Sequence, residues 1–222
     1  MKGRMQKTLA QNNDCPQKNR TESEGYGGVQ TFIGITENNL VEVQFTQEML
    51  LDRILSPKNL NEAYKQVKRN GGSGGVDKME TEELLPYLQT HKDTLITSLM
   101  VGQYQPNPVR RVEIPKDNGK TRQLGIPTVV DRMIQQAISQ VLSPIYEREF
   151  SDNSYGFRPK CSAHGALRKS QSYISSGYKY AVDVDLEKFF DTVNQSKLIE
   201  ILSRKIKDGR VLSLIHKYLQ AG

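Results

Sequence analysis

The chain has 222 residues, of which 36% are hydrophobic and 25% charged, so it can bury a real core as one large domain or two small ones and is not disordered throughout. Its apolar runs are only a few residues long, where a membrane-spanning helix needs ~20, and its N-terminus lacks the apolar stretch of a secretory signal; a cytoplasmic protein with no membrane partner is expected. Cys15 and Cys161 are too few and too far apart for a disulfide framework, and His91, His164 and His216 form no metal-binding motif, which excludes a zinc enzyme.

The net charge of +6 is unevenly spread, since residues 101–170 hold 11 Lys/Arg against 6 Asp/Glu and the remaining 152 residues hold 20 against 19. A concentrated positive patch suits a polyanion such as nucleic acid; a solvated charged face is the plainer alternative.

In chain order, residues 1–40 are polar and without sustained period, and read as a mobile arm with a short ordered stretch near Val29–Ile35. A helix follows with Leu50 and Ile54 on one face. Ser56-Pro57 supplies the N-cap and first position of a second helix, in which Leu60, Ala63, Tyr64 and Val67 form a buried stripe. The glycine run 71–75 (GGSGG) ends it and reads as a flexible loop, since it lacks the GxxxxGK[ST] spacing of a phosphate cradle. Two short helices are expected at Glu82–Leu88 and Asp93–Val101. Residues 109–127 read as an edge β-hairpin, with Val112 and Ile114 alternating with charged residues, Leu124 and Ile126 on the return strand, and Asn118-Gly119 at the turn. Thr128 with Asp131 opens a long helix whose core face is Ile134, Ala137, Ile138, Val141, Leu142 and Ile145, with Pro144 kinking or ending it. A loop with SYGFRPK leads to a helix near Ala163–Ser175, then YAVDVDLEKFFDTV reads as a strand and turn. Asn194 caps an amphipathic helix through Leu198, Ile201 and Leu202, and an apolar-periodic segment Val211–Leu219 closes the chain.

Three features could carry chemistry. In the strand, Val182, Val184 and Leu186 face one side while Asp183 and Asp185 face the other, with no Lys or Arg between Tyr180 and Glu187 to neutralise them. Carboxylates so placed suit a Mg²⁺ ion shared with substrate phosphates, or simply face water. In the hairpin, Lys116 and Arg122 flank the DNG turn, and antiparallel pairing brings them together as a phosphate clamp; Arg110 and Arg111 point to opposite faces. An ordinary solvated hairpin is the commoner case. In SYGFRPK, Arg158 follows an aromatic residue, an interleaving that suits single-stranded nucleic acid.

The stretches NLNEAYKQVKRNGG, PNPVRRVEIPKDNGKTRQLGIPTVVDRMIQQAISQVLSPIYEREFSDNSYGFRPKCSAHGAL and AVDVDLEKFFDTVN together resemble the N-terminal part of bacterial group II intron-encoded reverse transcriptases, or maturases. The resemblance runs from about residue 55 to Gly222 and implies an α+β, helix-rich fold: right-hand polymerase fingers with a partial palm, an edge β-hairpin and a short antiparallel palm sheet. It divides the chain into the arm 1–40, a helical extension and start of fingers at 41–105, fingers at 106–178 and the first part of a palm at 179–222.

By that resemblance Asp185 is the first catalytic aspartate and a Mg²⁺ ligand. Phe190 packs under the incoming sugar, and Lys116 and Arg122 grip the nucleoside triphosphate. The resemblance puts Lys65, Lys68 and Arg69 in the helical segment that contacts RNA. Arg110, Arg111 and Arg158 are expected RNA contacts from the basic middle third and the aromatic–basic interleaving. GGSGG stands where the family has an Asn-Lys-Gly-Ala type of sequence, which removes one template-contacting lysine. The implied partners are group II intron RNA, an RNA template with its DNA primer, and deoxynucleoside triphosphates. The family's Tyr-x-Asp-Asp turn has no counterpart in the sequence, and one carboxylate cannot hold two Mg²⁺ ions. The expectation is a parent RNA-directed DNA polymerase that also assists splicing. The 222 residues alone should be inactive, with a non-catalytic fragment holding intron RNA as the alternative and a truncated product without function as a third reading. Strand edges left open in a partial palm would favour self-association, for instance as a homodimer.

Overall fold

The computed structural model describes residues 49–115, 121–186 and 188–222, and the backbone alone of 33–36 and 39–42. The described residues fall into two compact units, one of 149–183 and one of those up to Arg148 together with 184–222.

The larger unit carries the core. Helix α1 (Leu50–Ile54) buries Leu50, Leu51 and Ile54, and α2 (Pro57–Asn70) begins where Ser56 accepts from the Asn59 N–H at 3.4 Å with Pro57 in its first turn. Ala63 and Val67 of α2 are buried, with Leu60 and Tyr64 packed beside them. A 3₁₀ turn at Thr81–Glu83 leads into α3 (Leu84–Met100), whose Leu84, Leu95 and Leu99 are buried. This single helix replaces the two short ones expected, because nothing in Gln89–Lys92 breaks a helix and Pro86 sits in the first turn, where its missing N–H is harmless.

Strands β3 (Arg110–Pro115) and β4 (Thr121–Ile126) form the expected hairpin, followed by α4 (Val129–Glu147). The hairpin is a sheet of two strands, as is β1 (Ile33–Thr36) with β2 (Asn39–Glu42), which pair antiparallel with Ile33 opposite Glu42. Ile33–Ile35 of the expected ordered stretch lie in β1, and 29–32 lie outside the described residues. The core face of α4 is as expected, with Ile134, Ala137, Ile138 and Val141 buried, and the helix runs three residues past Pro144 rather than ending there. Helix α4 packs along α2. Asn59 Nδ2 of α2 donates to Ile54 O of α1 and Ala137 O of α4, while Gln140 Nε2 of α4 donates to Asn59 Oδ1 at 2.8 Å.

Helix α5 (Ala163–Ser175), capped by Ser162, forms the body of the smaller unit. Then the strand expected from YAVDVD is absent. Residues 178–186 belong to no sheet, and Val182 and Val184 are 89% and 79% exposed. Alternation assigns residues to two faces but supplies no partner, and a lone strand leaves its backbone groups unpaired. The two hairpins are the only sheets among the described residues, so the expected palm sheet is not formed there. A short α6 (Phe189–Thr192) precedes α7 (Gln195–Ser203), capped by Asn194 as expected, and α8 (Gly209–Ala221), capped by Asp208.

Asp208 ties α8 to α1. Its carboxylate accepts from the Leu51 N–H at 3.0 Å and from Arg210, which also reaches Asp52 at 2.8 Å. Burial pushes the Asp208 carboxyl up, but Arg210 and the Leu51 N–H outweigh it and hold the group below the usual carboxylate range. Lys217 of α8 clamps the other end, donating to Gly102 O at 2.7 Å and Tyr104 O at 2.9 Å.

Candidate nucleic-acid interface

The glycine run is pinned, not flexible. Arg110 Nε donates to Gly74 O, Arg132 Nη1 to Gly71 O and Arg132 Nη2 to Ser73 O, each at 3.0 Å. Two arginines from β3 and α4 thus take up the carbonyls of a loop that α2 ends in. Gly74 and Gly75 are buried against backbone. A Cβ on Gly75 would stand 2.6 Å from Thr128 N and 2.7 Å from Thr128 Cα. Gly75→Ala is therefore expected to lower stability by roughly 1–3 kcal/mol, as overpacking does, and urea unfolding checks it; a variant as stable as the parent would show the loop to be loose.

The hairpin register sets Ile114 opposite Arg122, Arg111 opposite Gly125 and Arg110 opposite Ile126. Cross-strand pairs share a face, so Arg110 and Arg122 lie on one face with Val112, Ile114 and Leu124, and Arg111 lies on the other. Arg110 is half-buried and committed to the loop, whereas Arg111 and Arg122 are exposed. Lys116 lies outside the described residues, and with it the expected Lys116/Arg122 pairing.

On α2, Lys65, Lys68 and Arg69 occupy the exposed side, opposite the buried Ala63 and Val67. Lys65 pairs with Glu62 at 2.9 Å, and Arg69 donates to Gln66 Oε1 at 2.6 Å. Arg158, in the smaller unit, donates to Ser151 O at 2.6 Å and Ser154 O at 2.8 Å and lies over the Phe150 ring, which folds its own loop.

Asp185 is exposed, and its carboxylate accepts from the Leu186 N–H at 2.9 Å. Phe190 is 83% exposed and meets Phe189 edge-on at 5.5 Å between ring centres. Among the described residues no group of three His, Cys, Asp or Glu side chains converges to hold a metal. A lone exposed carboxylate turned onto its own backbone does not by itself make a Mg²⁺ centre. No helix among the described residues is long and apolar enough to cross a membrane.

Sequence reasoning missed two residues that position this surface. Asp131 is buried and accepts from Thr128 Oγ1 at 2.6 Å, Tyr104 OH at 2.7 Å, Tyr218 OH at 3.2 Å and the Asn107 N–H at 3.2 Å. It fixes the segment leading into β3 against the starts of α4 and the end of α8. Arg132 follows it and holds the loop. The local Thr128/Asp131 cap was visible in sequence; the distant tyrosines were not.

Residues 114–221 match the family described as reverse transcriptase (RNA-dependent DNA polymerase). The chain is 37% identical over 181 residues to Protein YkfC of Escherichia coli (strain K12), an overlap that covers 79% of this chain and 48% of that protein. It is 36% identical over 195 residues to the Group II intron-encoded protein LtrA of Lactococcus lactis subsp. cremoris, covering 84% and 31%. With the Putative COX1/OXI3 intron 2 protein of Saccharomyces cerevisiae it shares 30% identity over 191 residues, covering 85% and 22%. The chain spans about half or less of the length of these relatives. The residues matched by the reverse transcriptase family include β4, α4 and the DLEKFFD run. Over most of its length the chain is similar to a group II intron-encoded protein.

Proposed function

We propose that the whole protein is an RNA-directed DNA polymerase that also assists splicing of a group II intron RNA. The reverse transcriptase match over residues 114–221 carries this reading, with relatives named for group II introns and for intron proteins beside it. In the reaction, the 3′-hydroxyl of a DNA primer paired to an RNA template attacks the α-phosphate of a deoxynucleoside triphosphate. A bond forms between that oxygen and phosphorus, and pyrophosphate leaves.

In this reading residues 106–178 are fingers and 179–222 the first part of the palm, with 41–105 the extension that leads into them. Asp185 supplies one carboxylate of the polymerase centre, and Phe190 packs beneath the sugar. Arg122, with Lys116, holds the triphosphate on the hairpin. Lys65, Lys68, Arg69 and Arg111 meet RNA phosphates from exposed positions. Arg110 already donates to one loop carbonyl and Arg158 to two, so their main part is to shape the surface. The centre of chemistry needs further carboxylates, so the described residues alone are proposed to bind RNA without polymerising.

Deoxynucleotide incorporation by the whole protein on a primed RNA template tests the polymerase reading; no extension product would overturn it. RNA binding is tested by affinity against salt. Each phosphate contact should add about 0.7–0.9 to the slope of log affinity on log salt, so Arg111→Ala should flatten the slope by about that amount at unchanged stability. Arg110→Ala should lower the thermal midpoint as well, because the loop loses a clamp. Slopes in both variants equal to that of the parent would count against the hairpin as an RNA contact.

A further inference from the structure

Between the last turn of α2 and the middle of α4 lies a pocket of about 300 Å³. That is the low end of the roughly 300–1,000 Å³ range of small-ligand clefts, enough for one planar ring system with its edge groups. Val67 gives it an apolar wall, and Asn70, Gln135, Gln136 and Ser139 line the rest with amides and a hydroxyl. Arg132 lines one side with its guanidinium already held in plane by Gly71 O and Ser73 O. None of these side chains is acidic.

The amides are oriented by their neighbours. Gln136 Nε2 donates to Gln140 Oε1 at 3.1 Å, and Gln140 Nε2 donates onward to Asn59 Oδ1 at 2.8 Å. That relay leaves Gln136 Oε1 to accept. On the facing helix, Asn70 Oδ1 accepts from Gln66 Nε2 at 3.1 Å, which leaves the Asn70 amide hydrogens to donate. A donor and an acceptor lining one pocket suit the edge of a nucleobase, every one of which offers both. A fixed guanidinium plane and the valine suit its faces, since Arg planes stack on unpaired bases. Lys68 and Arg69, next to Asn70 on the exposed side of α2, stand where the flanking phosphates would run.

We propose that this pocket receives one unpaired nucleobase of the bound RNA, with Gln136 Oε1 accepting from an N–H of its edge and Asn70 Nδ2 donating to a ring nitrogen or carbonyl. The inference rests on the RNA-binding reading above, and the test separates the two. The whole protein is titrated with a single-stranded RNA oligonucleotide at several salt concentrations, as the parent, as Gln136→Ala and as Asn70→Ala. The same oligonucleotide carrying 4-thiouridine is photo-crosslinked and the attachment mapped by mass spectrometry.

Both variants should weaken binding by roughly 5- to 100-fold, the discrimination of a good base contact, with the salt slope unchanged. The crosslink should fall on the peptides holding Asn70 or Gln135–Ser139. Asn70 is exposed, so Asn70→Ala leaves the fold intact even if Gln136→Ala disturbs the Gln140 relay. Affinities within twofold of the parent, or crosslinks confined elsewhere, would overturn the pocket while a retained salt slope leaves RNA binding standing. A parent with no salt-dependent RNA binding would overturn both.

Discussion

Asp185→Ala in the whole protein is expected to lower primer extension on an RNA template by on the order of 10³-fold, the loss that follows removal of a charged group aimed at the reacting centre. The same change should leave the thermal midpoint and RNA affinity where they were. Asp185 is exposed, and its carboxylate accepts from the Leu186 N–H. Exposed substitutions of this kind usually change stability by less than about 0.5 kcal/mol. A large loss of rate at constant stability would thus report chemistry and not folding. Asp183→Ala is the matched control, because it removes the same charge two residues earlier in the same exposed run. If Asp185→Ala stays within tenfold of the parent, or if Asp183→Ala is the more damaging of the two, the assignment of the carboxylate is wrong.

How much of this was legible in the sequence depends on whether the deciding partner is near in the chain. Ser56, Thr128, Ser162 and Asn194 each accept from a backbone N–H three residues on, so these four helix starts are written locally. The buried stripe of α2 and the face of α4 follow from a period of 3.6. The glycine run misled because glycine reports the freedom of a chain and not what packs around it. Its clamps come from Arg110 and Arg132, 36 and 61 residues away from the carbonyls they hold. The alternation at 181–186 misled in the opposite way, since it describes a strand and cannot supply the neighbour that would pair with it. At the site, the residue types on the hairpin and α2 were readable, but not that Arg110 is half-buried and tied to the loop or that Asp131 orders the segment before β3.

Removing the Asp131 carboxylate, by contrast, should unfold the larger unit more readily than any surface change. The residue is 1% exposed, yet it stands among donors and not beside a cation: two tyrosine hydroxyls, the Thr128 hydroxyl and the Asn107 N–H all converge on it. Asp131→Ala leaves those four donors in a dry site, where each lost acceptor costs about 1–3 kcal/mol, discounted because water or local shifts recover part of it. A net loss of about 3–5 kcal/mol is expected, and roughly 10–15 °C in thermal midpoint for a chain of this size. Asp131→Asn should lose less, since one acceptor oxygen remains, but more than a neutral swap, since its amide now faces donors. The tyrosines give an independent check through pH. Burial first, and then the charge of Asp131, pushes the Tyr104 hydroxyl far above its ordinary range; burial and then Tyr104 do the same for Tyr218. Because the folded chain resists ionising them, their contribution is fully present below about pH 10 and is lost above it, at up to about 1.4 kcal/mol per pH unit for each. Urea unfolding between pH 9 and 12 should therefore steepen above pH 10, and Tyr218→Phe should remove one tyrosine's share of that slope. A flat profile, or an Asp131→Ala chain within 1 kcal/mol of the parent, would mean that the carboxylate is hydrated and that the segment entering the hairpin is held by packing alone.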